Sequence, residues 1–150
     1  MIMTKSKRLK PVSDIADAKE RDAARHMGDQ QGVLDKHQNK LAELIKYRGE
    51  YAEKMVMAGG GGISAGQMQD YSRFIRRLDE AIVFQRSQIE LAIRQLEVKQ
   101  REWQVMHTRS EALNKVVSRY QTEETRQEDK REQNESDERA MRQPPSFRNL

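Results

Sequence analysis

Between Met68 and Tyr120 the chain repeats apolar residues at alternating steps of three and four: Met68, Tyr71, Ile75, Leu78, Ile82, Ile89, Ala92, Leu96, Trp103, Met106, Leu113, Val117 and Tyr120. Gln85, Lys99 and Ser110 fill the other three positions, so thirteen of sixteen are apolar, and no proline or glycine intervenes. Only a long helix keeps such a row on one side, and a mean step near 3.5 predicts a left-handed coiled coil. An elongated coiled coil has no cleft in which to desolvate a reaction. A chain built around this row is expected to act by touching partners.

The composition agrees. Charged residues equal hydrophobic ones at 35% each and aromatics supply only 5%, enough for a narrow seam but not for a thick globular core. Twenty-eight basic residues nearly cancel twenty-four acidic ones, so a net charge of +4 is no argument for nucleic acid. With no cysteine, disulfides and thiolate metal sites are excluded. The basic start, Met1 to Lys10, leads into no apolar run of signal-peptide length, and nothing approaches the ~20 apolar residues of a membrane span. A cytoplasmic protein is expected.

A second seam can be traced upstream: Val12, Ala16, Lys19, Ala23, Met27, Gln30, Leu34, His37, Leu41, Leu44, Arg48, Tyr51 and Met55. It stutters at Ala23, where two steps of four adjoin, and Gly28, Gly32 and Gly49 weaken it by roughly 1 kcal/mol each relative to alanine. Pro11 suits the first turn of this helix. The run Gly59 to Gly62 then predicts a reversal, and Ser64 with Gln67 reads as a capping box opening the next helix.

The fold class that follows is all-α: one antiparallel two-helix coiled-coil hairpin whose second helix is the longer. Its expected parts are a helix over 12–57, a glycine-rich turn over 58–63, a helix over 64–142 and a disordered tail over 143–150, closed off by Pro144 and Pro145. Centring the turn near Gly61 makes facing residue numbers sum to about 122. Tyr51 then meets Tyr71, and the polar seam residues His37 and Gln85 share a layer, a register device of the kind coiled coils use. Val12 falls level with Ser110, and the segment beyond Leu113 is expected to overhang by roughly 45 Å at ~1.5 Å per residue. From Gln121 to Gln143, with eight acids and five bases, a solvated single helix is expected.

Motifs for chemistry are missing. The glycine run lacks the following lysine and the preceding strand of a phosphate loop. His26, His37 and His107 have no second histidine at metal-ligand spacing, and the acidic pairs are expected to sit in water with ordinary acidity. No catalysis, cofactor, metal, nucleic acid or small-molecule ligand is expected. One feature exceeds what a seam requires: near the turn, Leu44, Tyr47 and Tyr51 lie across from Phe74, Leu78 and Ala81, with Tyr47 and Phe74 flanking the seam. Such an apolar, aromatic excess is what a docking face needs.

In order and at this length the chain resembles the FliJ family, the small coiled-coil components of the bacterial flagellar type III export apparatus. The resemblance is carried by Arg8-Leu9-Lys10-Pro11-Val12, Glu20-Arg21-Asp22-Ala23-Ala24-Arg25, Leu44 to Tyr51, the glycine turn, Tyr71 to Ile82, a tryptophan in the second arm, and Arg131 to Glu138. It implies a two-helix coiled coil similar to the central stalk of rotary ATP synthases. It also implies binding to a hexameric export ATPase and its regulator, to the cytoplasmic domain of the export-gate membrane protein, and to export chaperones, at the cytoplasmic face of the inner membrane. Carried onto this chain, the gate-facing residues are Leu44, Tyr47, Tyr51, Phe74, Leu78, Ala81 and Gln85. The ATPase-facing residues are Leu9, Val12, Leu113, Val117 and Tyr120. An injectisome stalk protein and a plain scaffolding coiled coil are the competing readings.

Overall fold

The computed structural model describes residues 3–142, and these form two helices, α1 (Lys5–Gly60, 56 residues) and α2 (Ala65–Met141, 77 residues). The sequence's proposed tail over 143–150, with Pro144 and Pro145, lies outside the described residues. Contacts between the helices fall into two units: Asp22–Gln104, which contains the turn, and a terminal unit made of α1 up to Arg21 with α2 from Val105. In each unit α1 pairs antiparallel with α2.

The turn is tighter than expected and lies later. α1 continues through Gly60, the chain reverses over residues 61–64, and Gly62 takes a φ of +82° that a side chain would oppose. Ser64 and Gln67 exchange two hydrogen bonds of 3.2 Å, the Gln67 side chain accepting from the Ser64 N–H and the Ser64 hydroxyl from the Gln67 N–H. This reciprocal pair satisfies two donors that the start of α2 would otherwise leave free.

In the turn unit facing numbers sum to between 121 and 127, around the expected 122 and mostly at or above it. Gln30 with Gln95 and Tyr51 with Phe74 sum to 125, and Arg48 with Asp79 to 127. Tyr51 also reaches Tyr71, with ring centroids 5.6 Å apart. The expected layer of His37 and Gln85 is present: the buried Gln85 amide donates to His37 Nδ1 at 2.9 Å and to the His37 carbonyl at 3.0 Å. Leu34, Ala92 and Leu96 form the centre of this unit's core, with Met27 and Ile89 against them.

All sixteen seam positions from Met68 to Tyr120 are buried or half-buried. On α1 the expected seam holds from Ala23 to Met55 but fails at two positions nearer the N-terminus. Val12 is 47% exposed, Lys19 is exposed, and Ser13 and Glu20 take their places. The true row runs Ser6, Leu9, Ser13, Ala16, Glu20, Ala23, Met27, alternating threes and fours without any stutter. The helix also begins seven residues earlier than expected, at Lys5, with Thr4 Oγ1 accepting from the Lys7 N–H at 3.4 Å and Pro11 inside it. Length gained on α1 shortens the overhang. Ser110 is bonded to Asp17, not level with Val12, and only residues 125–141 run on fully exposed, about 25 Å of helix.

Candidate functional site

In the turn unit the aromatic residues come together. Tyr51 sits at the centre, 4.4 Å from Phe74 and 5.8 Å from Tyr47 between ring centroids, and Phe74 meets Tyr47 edge-on at 6.2 Å. Lys54 places its ammonium 5.8 Å from the Tyr51 ring. Half of Tyr47 is exposed, and a shallow cleft of about 380 Å³ opens beside Tyr51, Ile63, Gln67, Tyr71 and Phe74. Leu44 and Ala81 are half-buried on the flanks. Aromatic rings held against one another yet partly open are suited to anchoring a partner, since little side-chain freedom is left to lose.

Two of the seven expected gate residues are not available to a partner. Leu78 is buried in the seam, and Gln85, only 2% exposed, uses its amide on His37. Their part is to fix the register on which the aromatic face depends. Next to that face Arg48 forks onto Asp79, Nε to Oδ1 at 2.6 Å and Nη2 to Oδ2 at 3.4 Å, which holds the Asp79 carboxyl below its ordinary range and raises the guanidinium. Sequence periodicity placed Arg48 in the seam but gave no sign of this partner.

The terminal unit differs in kind. Its seam mixes apolar side chains with a polar network: Ser13 donates to Asn114 Oδ1 at 2.6 Å, Ser110 and Asn114 both donate to Asp17, and Glu20 faces His107 Nδ1 at 2.6 Å. Glu124 of α2 accepts from the Ser6 N–H at 3.1 Å and from the Ser6 hydroxyl at 2.6 Å. It thereby caps the start of α1 with a negative charge, where the helix dipole favours one. Among the described residues every buried side-chain polar atom has a partner. The expectation that acidic residues keep ordinary acidity fails here. Hydrogen bonds from Ser110 and Asn114 lower Asp17, His107 lowers Glu20, and Ser6 lowers Glu124. His107 is raised, first by Glu20 and then by the charge of Glu111, whose carboxylate lies 3.3 Å from Nε2.

These shifts set a pH window. A raised imidazole stabilises the pairing fully below its ordinary value and loses that contribution as pH climbs through the folded value. Lowered carboxylates contribute above their ordinary values and fail as pH falls through the folded ones. Pairing of the terminal unit is therefore expected to be strongest between roughly pH 4.5 and 6.5. Thermal melts followed by circular dichroism should show that plateau. His107→Gln should flatten the alkaline side and, because Glu20 loses the imidazole's charge, reduce but not abolish the acid side, which Asp17 and Glu124 also carry.

Of the expected ATPase residues, Val12 points outward on α1, away from the seam, while Val117 is buried inside it. Leu9, Leu113 and Tyr120 are half-buried, and the Lys5 ammonium lies 5.5 Å from the Tyr120 ring. Around Lys5, Arg8, Leu9 and Tyr120 the surface forms an open hollow of about 380 Å³. Among the described residues there is no group of three or more histidine, aspartate or glutamate side chains able to hold a metal ion, and no helix long and apolar enough to cross a membrane.

The chain matches a family model described as "Flagellar FliJ protein" over residues 5–145. Two curated relatives carry the same description, one from Escherichia coli (strain K12) and one from Salmonella typhi. Each is 26% identical over 134 residues, covering 89% of this chain and 91% of the relative. No solved structure matches. With the family model extending over nearly the whole of both helices, the chain belongs to the FliJ family.

Proposed function

We propose that the chain is a non-enzymatic coiled-coil component of flagellar protein export that works by holding two partners at two different faces. The turn unit docks on the cytoplasmic domain of the export-gate membrane protein through Tyr47, Tyr51, Phe74 and Ala81, with Leu44 at the edge and Leu78 and Gln85 fixing the register beneath. The terminal unit engages the hexameric export ATPase and its regulator through the surface around Leu9, Val12 and Tyr120, with Leu113 and Val117 holding the helices together there. Export chaperones are further partners, and the protein works at the cytoplasmic face of the inner membrane.

The observation that carries this reading is the half-exposed aromatic cluster of Tyr47, Tyr51 and Phe74, which exceeds what packing two helices requires. The mechanism is coupling without chemistry. A helical pair seated in a ring touches the six subunits unequally and so biases their nucleotide states, by a coupling on the order of 1–3 kcal/mol. Deleting the gene should abolish swimming and export of flagellar subunits, and the intact chain should restore both. Normal motility in the deletion strain would refute a role in export.

A further inference from the structure

Away from its seam, α2 carries a second apolar row in the turn unit. Phe84, Leu91 and Val98 stand seven residues apart and are 63%, 45% and 43% exposed. Seven residues are two helical turns, so the three share one face. Gln88 and Gln95 lie between them on the same side, three or four residues away. Read in either direction, the row is apolar, glutamine, apolar, glutamine, apolar.

A row of that symmetry is complementary to its own reverse. Set two copies of α2 antiparallel with Leu91 on a two-fold axis, and Phe84 faces Val98 of the second copy, Gln88 faces Gln95, and Leu91 faces itself. No glutamine is forced onto an apolar side chain. Within its own hairpin Gln95 accepts from Gln30 Nε2 at 3.2 Å through Oε1, which leaves its two amide hydrogens to donate to Gln88 of the second copy. The flank agrees in charge: the exposed Glu80, before Phe84, comes level with the exposed Arg101, after Val98, and the symmetry makes this pair twice. An open hollow of about 540 Å³ beside Phe84, bordered by Arg76, Asp79, Glu80 and Val83, gives the incoming helix room.

We infer that this face pairs two copies of the chain antiparallel through α2. Apolar contact supplies the attraction, and the Gln88–Gln95 and Glu80–Arg101 pairs set the register. Three apolar side chains per copy bury less than the ~1,200 Å² of a stable interface, so the pairing is reversible, with a Kd on the order of 10–100 μM.

Sedimentation equilibrium on the full chain tests this. The mass should rise from one chain toward two between about 1 and 500 μM. Leu91→Lys, which puts two like charges on the axis, should hold it at one chain throughout. Glu80→Arg and Arg101→Glu should each weaken pairing by roughly threefold to tenfold, as exposed ion pairs do, and together restore it. Since the chain has no cysteine, Leu91→Cys provides a sole thiol that should oxidise to a symmetric dimer. Phe84→Cys and Val98→Cys should cross-link with each other but not with themselves. A single-chain mass at every concentration, a dimer indifferent to Leu91→Lys, or disulfides joining position 84 to position 84 would each overturn the inference.

Discussion

Alanine at both Tyr47 and Phe74 is expected to weaken binding to the cytoplasmic domain of the export gate by roughly a hundredfold, the loss typical of removing two aromatic anchors. The hairpin itself should persist. Each aromatic pair contributes about 0.5–1.5 kcal/mol beyond its buried area, a local loss. The seam around Leu34, Ala92 and Leu96 is untouched by these changes. Isothermal titration against the gate domain gives the affinity, and circular dichroism of the same variant shows whether helix content survives. Leu78→Ala provides the contrast. As a buried seam residue it should cost about 2–5 kcal/mol of stability, and any effect on binding should track the folded fraction. Unchanged binding in the double variant would remove the aromatic face from the account.

The second large effect concerns the other unit. A chain ended after Ser110 loses Asn114 and Glu124, and with them the partners of Ser13 and Ser6; it also loses Val117 from the seam. The first turns of α1 are then left without a partner helix. Stimulation of the export ATPase is expected to vanish in that variant, while gate binding remains. A chain ended after Glu124 keeps every one of those contacts and sheds the exposed part of α2 together with residues 142–150, so its stimulation should be close to full. ATPase rates with increasing amounts of each variant separate the cases. Full stimulation by the shorter chain would contradict the assignment of this unit to the ATPase.

Much of this fold was readable because seam positions on α2 are apolar almost without exception, and a period read over Met68 to Tyr120 leaves no freedom of phase. The layer of His37 and Gln85 was readable too, since a polar residue in a seam is best placed against another polar residue. The N-terminal part of α1 was misread for the same physical reason. Periodicity follows apolar residues, and there Val12 is apolar while its neighbour Ser13 occupies the seam. The stutter at Ala23 was the trace of that error, because the row through Ser13 and Glu20 has none. Glu124, Asp17 and Glu20 looked like part of a solvated face. Their roles depend on which α2 residue comes level with which α1 residue, and a turn centred one or two residues late changes that throughout. The aromatic face was legible as an excess of apolar width near the turn, and the same periodic row already put Leu78 and Gln85 in the seam beneath it; that burial there takes both out of a partner's reach was not drawn from it.

The central claim is that two faces of one hairpin serve two partners, and it is tested most directly by photo-cross-linking in living cells. A benzoylphenylalanine at position 47 is predicted to capture the export-gate protein and not the ATPase. The same group at position 9 is predicted to capture the ATPase and not the gate. Exchange of the two products, or capture of a single partner from both positions, would contradict the account.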